Sequence, residues 1–163
     1  MNLSSYDAPS RPRPRMTRRV LRGFNAQAFA GARRRNGISV SDLARLADVS
    51  PATIFNWEGG KGTPQVDLLA RVMRILDTAI EQVVTIPADE RYPGDWRVIK
   101  GLTQPELAAA AKIATTTLRG IERADAALTD ANAANLAKHL GISIDEYQAA
   151  YQRARRRPPG APV

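Results

Sequence analysis

Cysteine is absent from this 163-residue chain, and histidine occurs once, at His139. Without cysteine there is neither a disulfide framework nor a thiolate metal site, and one histidine cannot build a familiar zinc site or a histidine-based catalytic triad. His139 is instead expected to pack or cap in the helix ending at Gly141. The lack of cysteine suits a reducing cytoplasm, the expected location. No eighteen apolar residues stand together, and the opening MNLSSYDAPS holds no apolar run fit for a signal peptide, so no membrane contact is expected. Glu81, Asp89, Glu90 and Asp95 have no spacing that sets two carboxylates on one cleft wall, and no glycine loop is shaped to cradle a phosphate. Neither an enzyme nor a cofactor is expected.

What the chain does have is a repeat. The segment GISVSDLARLADVSPATIFNWEGGKGTP, from Gly37 to Pro64, returns sixty-four residues later as GLTQPELAAAAKIATTTLRGIERADAAL, from Gly101 to Leu128. Gly37 pairs with Gly101, Leu43 with Leu107, Ala44 with Ala108, Ala47 with Ala111, Thr53 with Thr117 and Glu58 with Glu122. A repeat held in register without a gap implies one structural unit used twice. The length is enough for one or two small domains with compact helical cores.

Each copy reads locally as two short helices across a tight turn. Ser39 caps the first, with Leu43, Ala44 and Ala47 on one face; Ser50 caps the second, and Pro51 takes the first helical position, where no amide hydrogen is missed. The second helix, about Pro51 to Gly59, buries Ile54 and Trp57 and leaves Ala52, Phe55 and Asn56 on the other side. Gly59 and Gly60 end it, and Thr63-Pro64 predicts a further capped helix through Leu76. This is the geometry in which a second helix enters a DNA major groove.

The first copy resembles the helix-turn-helix of the Cro and phage-repressor family at Gly37, Leu43, Ala44, Val49, Ser50, Thr53, Ile54, Trp57, Glu58, Gly60, Lys61 and Pro64. The resemblance covers roughly residues 20 to 80 and, more weakly, 94 to 150. It implies an all-α fold with two tandem lambda-repressor-like DNA-binding domains. Phage immunity repressors are among the proteins such a chain is similar to.

The expected organisation is a disordered basic arm over 1–16, a first domain over 17–84, a linker over 85–94, a divergent second domain over 95–157 and a disordered tail over 158–163. Thr17 to Asn36 reads as a first helix carrying Val20, Leu21, Phe24, Ala28 and Ala32 on its buried stripe. In the second domain only Asp95 to Lys100 is left for the first helix. The last starts at a Ser143–Glu146 capping box and runs to Arg157, ahead of Pro158. Ile144, Tyr147 and Tyr151 form a stripe that docks either on the protein itself or on a second copy.

The resemblance also implies site residues. An arginine four places before the first glycine pairs with a glutamate late in the reading helix, so Arg33 with Glu58 and Arg97 with Glu122 are expected structural ion pairs. Base-facing places carry over to Ser50, Pro51 and Ala52, with Asn56 one turn on and Lys61 near the phosphates. Asn56 is the best direct reader, through bidentate pairing with adenine, while Ala52, Thr53 and Phe55 suit thymine methyl groups. Val40 stands where the family has a glutamine that binds phosphate and buttresses the reading helix. The second copy keeps that glutamine as Gln104 and presents Thr115, Thr116 and Arg119, the last suited to guanine. It departs from the pattern at Lys112, Gly120, Ile121 and Asp125, so loss of DNA binding, with conversion to a packing or dimerisation surface, is its alternative.

Charge is concentrated at the ends. Residues 1–35 hold nine arginines against Asp7 alone and residues 152–163 four arginines and no acid, giving +12, whereas residues 36–151 hold eleven basic and fifteen acidic residues, giving −4. The formal total of +8 therefore comes from the termini. Arg11, Arg13 and Arg15, spaced by prolines, either lie along phosphates or form a solvated tail.

Two functions follow. One is a sequence-specific regulator of transcription, most simply a repressor, reading double-stranded DNA through two unlike heads, as a monomer on an asymmetric site or as a homodimer. A flexible linker of about ten to fifteen residues would span roughly 33 to 50 Å, enough for one helical turn of DNA. The other is an antitoxin-like protein whose second unit holds a protein partner.

Overall fold

The computed structural model describes residues 20–163, and the structural statements below concern those residues. Arg11, Arg13, Arg15 and Thr17 lie outside them. The chain forms α1 (Ala26–Arg35), α2 (Val40–Ala47), α3 (Pro51–Glu58), α4 (Val66–Ile75), α5 (Pro93–Ile99), α6 (Gln104–Ala111), α7 (Thr115–Glu122), α8 (Asp130–Leu140) and α9 (Ile144–Arg155). Short 3-10 turns stand at Ile80–Gln82 and Ala88–Glu90, and the described residues contain no strand beyond an isolated antiparallel bridge between Phe24 and Val84. The fold is all-α.

Local chemistry accounts for most helix ends. The Ser39, Ser50, Thr103 and Ser143 hydroxyls accept hydrogen bonds from the amides of Asp42, Thr53, Glu106 and Glu146, each satisfying one orphan donor of a first turn. Glu106 and Glu146 accept in return from the Thr103 and Ser143 amides, completing capping boxes.

Three helix ends differ from the expectation. Instead of beginning at Thr17, α1 starts at Ala26: Gly23 takes a left-handed φ of 75°, Asn25 caps the helix through Ala28, and the Asn25 amide donates to Val83 O at 2.7 Å. Leu21 and Phe24 therefore pack against the core from a turn rather than a helix, and Val20 is exposed. Thr63 does not cap α4, whose N-cap is Gln65; its hydroxyl accepts from the Leu21 amide at 2.8 Å. At the far end α9 stops at Arg155, because Arg157 turns back to donate to the Ala154 and Arg123 carbonyls.

Two cores result. The first gathers Phe29, Leu43, Ile54, Trp57, Leu69 and Val72, and the second Trp96, Leu107, Leu118, Ile121, Leu136 and Tyr147. Tyr147 and Tyr151 of the α9 stripe belong to the second core, while Ile144 is 45% exposed.

Residues 85–94, whose composition suggests a linker, do not behave as a free tether. Ile86 is buried in the first core, Arg91 donates to Ile86 O at 2.9 Å and stacks on the Trp96 ring, and Arg153 of α9 donates to Arg91 O at 2.9 Å. The next helix is shared: in α5 all residues but Gly94 are buried, with Val98 and Ile99 in the first core and Trp96 in the second. Arg22 of the first unit pairs with Asp95 and lies 4.2 Å from the Tyr92 ring centre. Burial pushes the Asp95 carboxyl above its ordinary range, against the opposing pull of the Tyr92 amide and of Arg22. Gly101, at φ 71°, passes so close to α4 that a Cβ there would lie 3.1 Å from Ala70 Cβ.

Ile99→Ala should therefore lower the stability of the whole protein by about 2–5 kcal/mol. Because Trp57 and Trp96 sit in different cores, denaturation of Trp96→Phe and Trp57→Phe chains reports each core separately. The two curves should coincide, with and without Ile99→Ala; well-separated transitions would show that the cores do not depend on α5 jointly.

Candidate nucleic-acid interface

Each repeat places its second helix by the same set of contacts. In the first, Arg33 of α1 donates from Nε to Glu58 Oε1 at 2.5 Å and from Nη2 to Oε2 at 3.1 Å, while Nη1 reaches Ile38 O at 3.0 Å. In the second, Arg97 of α5 donates to Glu122 Oε1 at 2.6 Å, to Oε2 at 3.1 Å and to Leu102 O at 2.8 Å. Every partner obeys the sixty-four-residue offset, the Ile38 and Leu102 carbonyls included. A bidentate guanidinium–carboxylate pair is directional as well as strong, so it fixes the end of α3 against α1 and the end of α7 against α5. The Glu58 carboxylate holds the Arg33 guanidinium above its ordinary range.

The turns agree as well. Asp48 and Lys112, each closing the first helix of its pair, take left-handed φ angles of 55° and 56°. Glycine is usual in that place, yet both units tolerate a side chain there. The amide one residue on, Val49 or Ile113, returns to Ala44 O at 2.9 Å or Ala108 O at 3.0 Å. A further equivalence is hidden in the sequence. Arg71 of α4 donates to Ala47 O at 2.9 Å and Asn135 of α8 to Ala111 O at 2.6 Å, each satisfying a terminal carbonyl of the helix before the turn. The offset relates these two donors, but their different side chains conceal the relation.

The outer faces differ. On α3, Ser50, Pro51, Ala52, Phe55 and Asn56 are exposed and Thr53 is half-buried, its hydroxyl 2.9 Å from that of Ser50. Phe55 keeps 60% of its surface accessible beside Asn56. Lys61 is exposed just beyond the helix. On α7, Thr116 and Arg119 are exposed and Thr115 is half-buried.

Gly120 has a steric reason. A Cβ there would meet Ala126 Cβ at 2.8 Å, because the loop after α7 folds back so that the Ala126 amide donates to Gly120 O at 3.1 Å. The place that Asn56 holds in the first unit is thus filled by chain in the second. Gln104 differs from Val40 in a way that matters: its amide nitrogen donates to Glu122 Oε2 at 2.7 Å, adding a third group to the Arg97 pair. Nearby Tyr147 is fully buried, and its phenol is pushed far up by burial first and by the Glu122 carboxylate second. His139, expected to pack or cap, is exposed on α8. Among the described residues no cluster of His, Asp or Glu is arranged to hold a metal ion, and no helix is long and apolar enough to cross a membrane.

Comparison with known families gives a match to the helix-turn-helix model at residues 31–83 and again at 95–147. No match to a curated protein was found. The first match takes in α1 from Gly31 through Val83 and the second most of α5 through the start of α9, so each contains its braced pair of helices. The chain belongs to the helix-turn-helix family of the Cro and phage-repressor type, as a tandem of two units, and is a DNA-binding regulator of transcription.

Proposed function

We propose that the protein is a sequence-specific repressor whose two unlike units read two unlike half-sites on one duplex. The observation that carries this reading is the sharing of the brace alongside the change of the outer face. Both α3 and α7 are anchored by the same arginine–glutamate geometry, yet one exposes Phe55 and Asn56 and the other Thr116 and Arg119. A second unit kept only for packing would have no need of an exposed arginine on a helix so anchored. Gln104 supports the same role, since one hydrogen of its amide serves Glu122 and the other is left for a phosphate. The start of α6 and the end of α7 line one open cleft with Pro64, Gln65 and Asp67 of the first unit.

Within this reading Ser50, Pro51, Ala52, Thr53, Phe55 and Asn56 face the bases of the first half-site, with Asn56 on adenine and the apolar groups on thymine methyls. Lys61 neutralises phosphate beside it. Thr115, Thr116 and Arg119 face the second half-site, with Arg119 on guanine O6 and N7. Because α5 is packed into both cores, the distance between the heads is set by packing rather than by the reach of a tether. One chain then occupies one asymmetric site.

Selection of bound duplexes from a random pool, with the stoichiometry measured on the preferred sequence, should yield a long asymmetric site bound by one chain. A short palindrome bound by two chains would instead favour a single reading head with the second unit given to dimerisation or to a protein partner, as in an antitoxin.

Asn56→Ala should weaken binding to that site by about 1–3 kcal/mol and relax the preference at one base pair. Uniform weakening on all sequences, measured by competition with single-position variants of the site, would remove Asn56 from base reading.

A further inference from the structure

The second unit lacks the lysine that follows the first reading helix, but the fold brings other cations to that place. Lys61 and Asp125 are equivalent by the repeat and by backbone geometry: the Lys61 amide donates to Asn56 O at 2.9 Å and the Asp125 amide to Gly120 O at 2.9 Å. The preceding residues, Gly60 at φ 71° and Ala124 at φ 57°, share the left-handed turn. Taken alone, Asp125 would repel phosphate. It is not alone: Arg123 Nε lies 3.2 Å from its carboxylate, and both side chains are at least half exposed.

Two arginines of the C-terminal segment converge on the same loop. Tyr151 of α9 donates its hydroxyl to Ala126 O at 2.8 Å, and Arg155 Nη1 stands 3.4 Å from that hydroxyl. Arg157 Nη1 donates to Arg123 O at 2.8 Å. The loop after α7 is therefore met from the C-terminal segment by Arg155, beside the Tyr151 hydroxyl that holds Ala126 O, and by Arg157 at Arg123 O, while Arg123 itself lies against Asp125. Neither Arg155 nor Arg157 has a carboxylate partner among the described residues, and Arg155 is exposed. Capping the loop carbonyls explains Arg157. Arg155 caps no loop carbonyl and rests only against Tyr151, 3.4 Å from its hydroxyl and 6.0 Å from its ring centre.

We propose that the end of α9 supplies a phosphate contact of the second unit: Arg155, with Arg123, takes the place that Lys61 occupies in the first unit and binds the DNA backbone beside the second half-site. The inference rests on the reading of the second unit as a DNA-binding head. It adds that a residue some thirty positions away in the sequence restores a charge that the repeat itself does not carry there. Asp125 acts against the two arginines, holding Arg123 away from phosphate.

The test measures affinity of the full chain for a mixed-sequence duplex as a function of salt. Removing one phosphate-binding cation reduces the slope of log K against log salt by about 0.9. Arg155→Gln should reduce it by about one such step, with an unchanged melting temperature, whereas Asp125→Asn should strengthen binding and steepen the slope by freeing Arg123. Slopes equal to the parent in both variants would overturn the proposal. So would an equal reduction in Lys138→Gln, an exposed cation on α8, since the effect would then be one of net charge. Failure of the parent chain to bind any duplex would instead defeat the DNA-binding reading, so the two failures are distinguishable.

Discussion

Burial of α5 from both sides is the constraint on which the architecture depends. A seven-residue helix has little stability of its own in water. This one persists because Val98 and Ile99 complete the core of the first unit while Trp96 completes that of the second. The same helix carries Arg97, the anchor of α7, so packing between the units and orientation of α7 are set by one element. The opposite flank is held by Arg22 against Asp95 and Tyr92, which ties the entry of the first unit to the start of α5.

The brace in each unit transmits that rigidity outwards. Glu58 and Glu122 stand at the ends of α3 and α7, largely withdrawn from solvent, and each accepts two hydrogen bonds from its arginine. Breaking such a pair by removing one partner strands a buried charge at a cost of about 3–5 kcal/mol. The arrangement therefore resists substitution, while the outward faces of the same helices carry no comparable constraint. Scaffold and outer face are thereby separated: Phe55 and Asn56 on one unit and Thr116 and Arg119 on the other differ without disturbing what holds them.

Much of this is legible in the sequence because it is local or periodic. The caps at Ser39, Ser50 and Ser143 announce themselves by spacing, and the arginine–glutamate pairs recur at a fixed offset. The short helix expected at Asp95 to Lys100 forms as Pro93–Ile99, but its burial between both cores is not legible, for a definite reason. Proline, glycine and acidic residues from Thr85 to Asp95 look like a tether, and a helix buried on both sides shows no polar stripe to set its period. The start of α1 is obscured because apolar spacing runs on through Gly23 and Asn25, the two residues that break and restart the chain there. Gly120 looks like decay of a reading helix, although it makes room for Ala126, a contact between residues whose proximity depends on the path of a loop. The approach of Arg155 and Arg157 to the loop after α7 likewise follows only from the docking of α9.

The central claim is that two heads joined through α5 read DNA at one fixed separation. Base pairs inserted one at a time between the two halves of the preferred site test it most directly. A single insertion rotates the second half-site by about one tenth of a turn. Binding should then fall steeply after one or two insertions and settle at the affinity of the first head alone. Equal affinity across a range of spacings would contradict the account, because it would mean that the heads move independently.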